Sequence, residues 1–180
     1  MVKEALIIVD MSYDFVADDG RLTAGKPAQE IVPYIVNLAT DFLEREQVVV
    51  VAMDAHQEND PHFELWPAHN VIGTKGQELY GDLMAWFKEN EVNSNVILQP
   101  KENYNAFFKT GLAGKLREKG VEKVHVVGVC TDICNYLTIA GADAEGFKTV
   151  IHKRGSATFT DLGETFINQM KTCFFTEIIE

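Results

Sequence analysis

The sequence predicts an α/β three-layer sandwich around a mostly parallel sheet of six strands. Three observations predict it. Short continuous apolar runs rich in β-branched residues recur along the chain, as strands buried on both faces require. Amphipathic stretches at helical spacing fall between those runs. No internal repeat, low-complexity stretch or linker breaks the alternation, so residues 1–180 read as one domain. A Rossmann-like strand order is expected for such a sheet.

The elements follow in order. The first strand spans residues 5–9 and is closed by Asp10. A helix over 31–46 presents Ile31, Ile35, Leu38, Phe42 and Leu43 on one face. Pro33 falls in its first turns, where a missing N–H is tolerated. The second strand spans 48–53 and the next helix 79–90. A third strand over 96–98 leads through Pro100 to Lys101. Helix 112–119, stopped by Gly120, precedes strand 124–129. Helix 134–145, stopped by Gly146, precedes strand 149–151. Helix 162–170 and a last strand over 174–179 complete the chain. Segments 11–26 and 55–77 are the longest irregular stretches, and loops of that length are usually functional.

Composition excludes several functions. Hydrophobic residues make up 46% and charged residues 24%, which suits a globular chain. There are 27 Asp and Glu against 16 Lys and Arg, a formal charge of −11 with no basic cluster. That balance argues against nucleic acid or an anionic membrane as partner. No apolar run approaches the roughly 20 residues of a membrane helix. The first run is too short and too soon acidic for a secretory signal, so a cytoplasmic protein is expected. Three cysteines give no disulfide framework and suit a reducing compartment. Cys173, in the last apolar run, reads as core.

In open α/β sheets ligands bind beyond the carboxyl ends of the strands. Asp10, Asp54, Lys101 and segment 128–134 are therefore the residues to weigh. Asp10 is either a loop cap or a partly desolvated proton shuttle. Lys101 alone reads as a solvated lysine; beside Asp10 and a thiol it would favour thiolate. Segment 128–134 ends a strand in a turn and starts a helix, placing Cys134 near the first helical turn. Unpaired N–H groups there stabilise a thiolate and offer donors to an oxyanion. The alternative is that Cys130 and Cys134 are small core residues. Asp54, His56, His62, Glu64 and His69 share one stretch, and carboxylate with imidazole suits Zn²⁺, Mn²⁺ or Fe²⁺.

These pieces together resemble the nicotinamidase/pyrazinamidase branch of the isochorismatase-like cysteine hydrolases. The resemblance runs from end to end. It rests on residues 7–15 (IIVDMSYDF), on Asp54-Ala55-His56, and on Trp66-Pro67-Ala68-His69-Asn70 with Gly73-Thr74. Lys101 and residues 128–134 (GVCTDIC) complete it. It implies a catalytic triad of Asp10, Lys101 and Cys134. It also implies a cis peptide between Val129 and Cys130, with the N–H groups of Cys130 and Cys134 as oxyanion hole. Metal ligands would be Asp54, His56 and His69, holding one divalent transition ion, Zn²⁺ first and Mn²⁺ or Fe²⁺ as alternatives. Glu64 is slightly preferred as the fourth ligand, with His62 as the alternative. Phe15 and Trp66 would sandwich a substrate ring, and Tyr104 and Phe108 would border it.

The implied reaction is hydrolysis of nicotinamide, and of pyrazinamide, to the acid and ammonia through a thioester, serving NAD salvage. The partner is then a small-molecule amide; a homo-oligomer is left open. Two rival readings stand beside it. One is another hydrolase of the superfamily, acting on isochorismate or on an N-carbamoyl or ureido compound. The other is a non-catalytic ligand-binding member of the fold.

Overall fold

A computed structural model describes residues 2–180. Six strands form one sheet: β1 (Lys3–Val9), β2 (Val48–Asp54), β3 (Val96–Lys101), β4 (Val121–Val129), β5 (Lys148–Ala157) and β6 (Glu177–Ile179). Their spatial order is β3-β2-β1-β4-β5-β6, and every adjacent pair is parallel. The helices are α1 (Tyr13–Val16), α2 (Lys26–Glu30), α3 (Val32–Glu44), α4 (Asp82–Asn90), α5 (Leu112–Glu118), α6 (Tyr136–Ala144) and α7 (Gly163–Phe174). The expected sandwich and strand order are therefore present, with a sheet that is wholly parallel.

Alternation along β1 explains the layers. Ala5, Ile7 and Val9 pack with Leu112 and Leu116 of α5, Ile139 of α6 and Met170 of α7. Leu6 and Ile8 pack on the other face with Ile35 and Phe42 of α3 and Trp86 of α4. Successive side chains leave opposite faces of a strand, so a run apolar at every position is what two covered faces demand. Ile7 and Ile8 are both essentially inaccessible. Burying each stabilises the fold by about 2 kcal/mol.

Several boundaries differ from the sequence expectation. Strand β3 runs on through Pro100 to Lys101, which an edge strand permits because proline need not donate outward. Strand β5 extends to Ala157, because the β4–β5 register shifts between Val126 and Gly128. Helix α7 continues to Phe174, so residues 174–176 are not strand. Cys173 consequently lies on the outside of α7 and is exposed, not core; its sulfur accepts a hydrogen bond from Gln169 Nε2.

Candidate active site

The strand ends β1, β2 and β3 deliver three charged groups to one place. Val9 is in register with Ala52, and Asp54 with Lys101. Asp10 follows β1 in the left-handed region (φ 54°), its N–H donating to Ala52 O at 2.9 Å. The Lys101 ammonium donates to Asp10 Oδ2 at 2.7 Å and also to Asp54 Oδ1. The Asp54 N–H donates to Asp10 Oδ1 at 3.0 Å. Asp10 and Lys101 are buried, so these contacts act in a poorly screened interior.

Cys134 arrives from the other side of the switch in strand order, between β1 and β4. A single π-type turn, Thr131–Asn135, leads into α6 and carries it. The Asn135 N–H donates to Cys130 O at 3.1 Å, and Asn135 Nδ2 donates to Gly128 O at 3.0 Å. The Val129–Cys130 peptide is cis. The Cys134 thiol lies beside the Asp10 carboxylate.

The electrostatics assign resting protonation states. Burial pushes Asp10 up to about 6, the Asp54 charge adds to the rise, and the Lys101 ammonium opposes it. Asp54 is buried too, yet the Lys101 ammonium and the facing imidazoles of His56 and His69 hold it well below the usual carboxylate range. Burial works against Lys101, but Asp10 and Asp54 keep its ammonium above its ordinary value. Burial, followed by the Asp10 charge, pushes Cys134 well up. The sulfur therefore rests as a thiol. The sequence expectation of a lysine-favoured thiolate neglected desolvation and the second carboxylate.

Beside the triad lies a cluster able to hold a metal. Ligating atoms of His56, His62 and His69 all lie within 4.8 Å of one another. Asp54 Oδ2 is 3.6 Å from His56 Nε2 and 3.8 Å from His69 Nε2. The outer nitrogens are already engaged: His56 Nδ1 meets Asp60 Oδ2 at 2.8 Å, and His69 Nδ1 meets Pro67 O at 2.7 Å. Such contacts direct the Nε2 lone pairs inward. His56 Nε2 is buried with no hydrogen-bond partner, as a ligand atom would be. Three imidazoles and a carboxylate fit a divalent transition ion.

His62, not Glu64, joins this group. Asp60 caps the short helix Pro61–Glu64 and accepts from the His62 N–H at 2.8 Å. That turn stacks His62 on His56, ring centroids 5.0 Å apart, and leaves Glu64 exposed.

A cavity of about 400 Å³ joins both clusters. Phe15, Trp66 and Tyr104 line it with Asp54, His62, His69 and Cys134. Trp66 Nε1 donates to Tyr104 Oη at 3.0 Å, and the Phe15 ring lies 5.3 Å from that of His69.

The isochorismatase domain pattern matches residues 4–179. The chain belongs to the isochorismatase family. An isochorismatase family protein of Bacillus subtilis, PncA, is 42% identical over 92% of each chain. A crystal structure of nicotinamidase/pyrazinamidase PncA from B. subtilis superposes with a TM-score of 0.96 at 39% identity, covering 99% of this chain and 100% of that one. The pyrazinamidase of Pyrococcus horikoshii, solved in complex with zinc, superposes with a TM-score of 0.87 at 28% identity over 99% of both chains.

In this isochorismatase-family site one expected lining residue lies elsewhere and one was missed. Phe108 does not border the cavity. It lines a separate one of about 540 Å³ with Pro100 and Lys109, half exposed, because the chain after Lys101 turns it away. Phe159 lines the site instead, on the loop that leaves β5. That loop is tied down where Thr158 and Thr160 hydroxyls donate to Asp132 at 2.6 and 2.7 Å. Its place just past a strand end shows only once β5 is known to reach Ala157. Cys130 also lines the cavity, with burial and then Asp132 pushing its thiol up to about 12.

Proposed function

We propose that this protein hydrolyses nicotinamide to nicotinate and ammonia through a thioester on Cys134, and pyrazinamide likewise. The observation that carries this reading is the shared Lys101 contact. One ammonium bonds both Asp10, which lies beside the Cys134 thiol, and Asp54, which faces His56 and His69. Nucleophile and ring-holding site are thereby fixed to each other.

Asp10, lifted toward neutrality, takes the proton as sulfur attacks the carboxamide carbon. Lys101 stays protonated and holds the carboxylate in place. Backbone N–H groups of Cys130 and Cys134 receive the oxyanion; one such donor is typically worth on the order of 10²–10³-fold in rate. Asp10 returns its proton to the nitrogen, the C–N bond breaks and ammonia leaves. Water then attacks the thioester carbonyl with Asp10 as base, the C–S bond breaks, the proton passes from Asp10 back to sulfur, and nicotinate is released. Phe15 and Trp66 flank the ring. Asp54, His56, His62 and His69 would hold one divalent ion, Zn²⁺ first and Mn²⁺ or Fe²⁺ as alternatives. When bound, it supplies a Lewis-acid anchor for the ring nitrogen and so orients the amide. The physiological setting we assign is cytoplasmic recycling of nicotinamide toward NAD.

Ammonia release from nicotinamide, measured with and without a chelator, tests this. Turnover that the chelator abolishes and added Zn²⁺ restores is expected. Turnover confined to isochorismate or an N-carbamoyl amide would replace nicotinamide as substrate.

A further inference from the structure

We propose that Asp14 is a positioning residue that locks the metal-holding histidines to the aromatic wall of the site. Its carboxylate is buried, and its oxygens are taken up by backbone N–H groups of two separate loops. Oδ2 accepts from Asn70 at 2.8 Å, and Oδ1 accepts from Arg21 at 3.3 Å. Asn70 follows His69 and sits in the left-handed region at φ 45°, where asparagine is better tolerated than most residues. The Asn70 carbonyl in turn accepts from the His56 N–H at 3.1 Å. One carboxylate thus fixes Asn70, the residue that follows His69 and receives the His56 N–H. On the other side Asp14 precedes Phe15, whose carbonyl accepts from Ala24 at 2.9 Å. The same residue therefore sets the wall and the ligands relative to one another.

An acid is required because both contacts are made by donors. An amide offers one oxygen and presents an NH₂ group to the second donor. Gly76 supplies an independent probe. A Cβ there would come 2.1 Å from Asp14 Oδ2, with no left-handed backbone to complicate the substitution. Gly76→Ala forces the carboxylate and the 75–77 turn apart while leaving Asp14, His56 and His69 chemically intact.

This inference rests on the amidase reading for its metal, so the test uses metal affinity first and activity second. Wild type, Asp14→Asn, Gly76→Ala and the core control Ile35→Val are compared. Zn²⁺ affinity is read by competition with a chromophoric chelator, stability by thermal melting, and KM and kcat for nicotinamide at saturating Zn²⁺. Loss of an outer contact typically costs on the order of 10–100-fold in metal affinity. That loss is expected for Asp14→Asn and Gly76→Ala, with KM raised more than kcat is lowered. Ile35→Val should melt lower and bind Zn²⁺ as wild type does. Wild-type Zn²⁺ affinity in folded Gly76→Ala overturns the proposal, even if Asp14→Asn fails to fold. Wild-type protein that takes up no Zn²⁺ also overturns it. A wild type that binds Zn²⁺ but leaves nicotinamide intact defeats the amidase reading and leaves the affinity comparison standing.

Discussion

A thiol that rests protonated needs its base at hand, and Asp10 is in contact with Cys134. Replacing the sulfur removes the nucleophile without touching the His cluster. Cys134→Ala should lower turnover by on the order of 10⁴-fold or more while Zn²⁺ content stays at the wild-type level. Ammonia release at an undiminished rate would remove Cys134 from the reaction. His62 and Glu64 give a second test at this scale. His62→Ala should weaken Zn²⁺ binding at least about tenfold, and Glu64→Ala should leave it unchanged. Chelator competition on the two variants reads the difference; a reversed ranking would return the fourth position to Glu64. The sequence could show that both residues share a loop with Asp54 and His56. It could not show which faces inward. In a short helix of three residues per turn, neighbours two apart point in different directions, and the Asp60 cap decides the phase. The state of Cys134 was equally hidden, because desolvation depends on what packs around the sulfur.

At the scale of elements, the site depends on how closely β1 and β4 approach where the strand order switches. Gly128 lies opposite Val9 with φ 114°, and a Cβ there would come 2.0 Å from the Val9 carbonyl oxygen. Backbone cannot yield as a flexible side chain does. Gly128→Ala should therefore destabilise the fold by about 4 kcal/mol or more, read as a lowered midpoint in urea. An unchanged midpoint would show that β4 can retreat from β1. The strands and long helices were legible because their apolar periodicity spans several residues. Lys101 and Cys134 were legible as strand-end residues for the same reason. The register shift in β4–β5 was not legible: it inserts extra residues into β5 at His152-Lys153-Arg154-Gly155, whose polar character ends the apolar run at Ile151. Its consequence, Phe159 at the cavity, was missed with it. Phe108 misled for the converse reason, since adjacency to Lys101 in sequence does not survive the turn that follows an edge strand.

For the whole molecule, acid lability should arise partly from a polar chain far from the site. His125 on β4 and His152 on β5 share a hydrogen bond, Nδ1 to Nε2, at 2.9 Å. Tyr34 of α3 meets His152 Nδ1 at 2.9 Å, and Phe42 of α3 packs edge-on against His125. Glu4 of β1 approaches His125 Nε2 at 3.6 Å, and Arg154 lies over the Tyr34 ring. Burial pushes His125 down to about 4, helped by Lys123 and Arg45 and opposed by Glu177. Burial also pushes His152 down to about 4, helped by His125 and opposed by Glu177. In the unfolded chain each titrates near about 6.5. Below that pH the unfolded state binds protons that the folded state refuses, so folding stability falls with pH until about 4. Above it both states are neutral and the pair contributes no slope. Asp10 runs the other way: raised to about 6, it favours the fold as pH falls through that value. A His125→Gln, His152→Gln double variant separates the two. Its melting temperature should decline less steeply than that of wild type between pH 6.5 and pH 4, and the two curves should run parallel above pH 7. Parallel curves throughout would mean that the imidazole pair accepts a proton in the folded protein as readily as in the unfolded chain. Acid unfolding would then have to come from carboxylates whose partners are lost on protonation, Asp54 foremost among them.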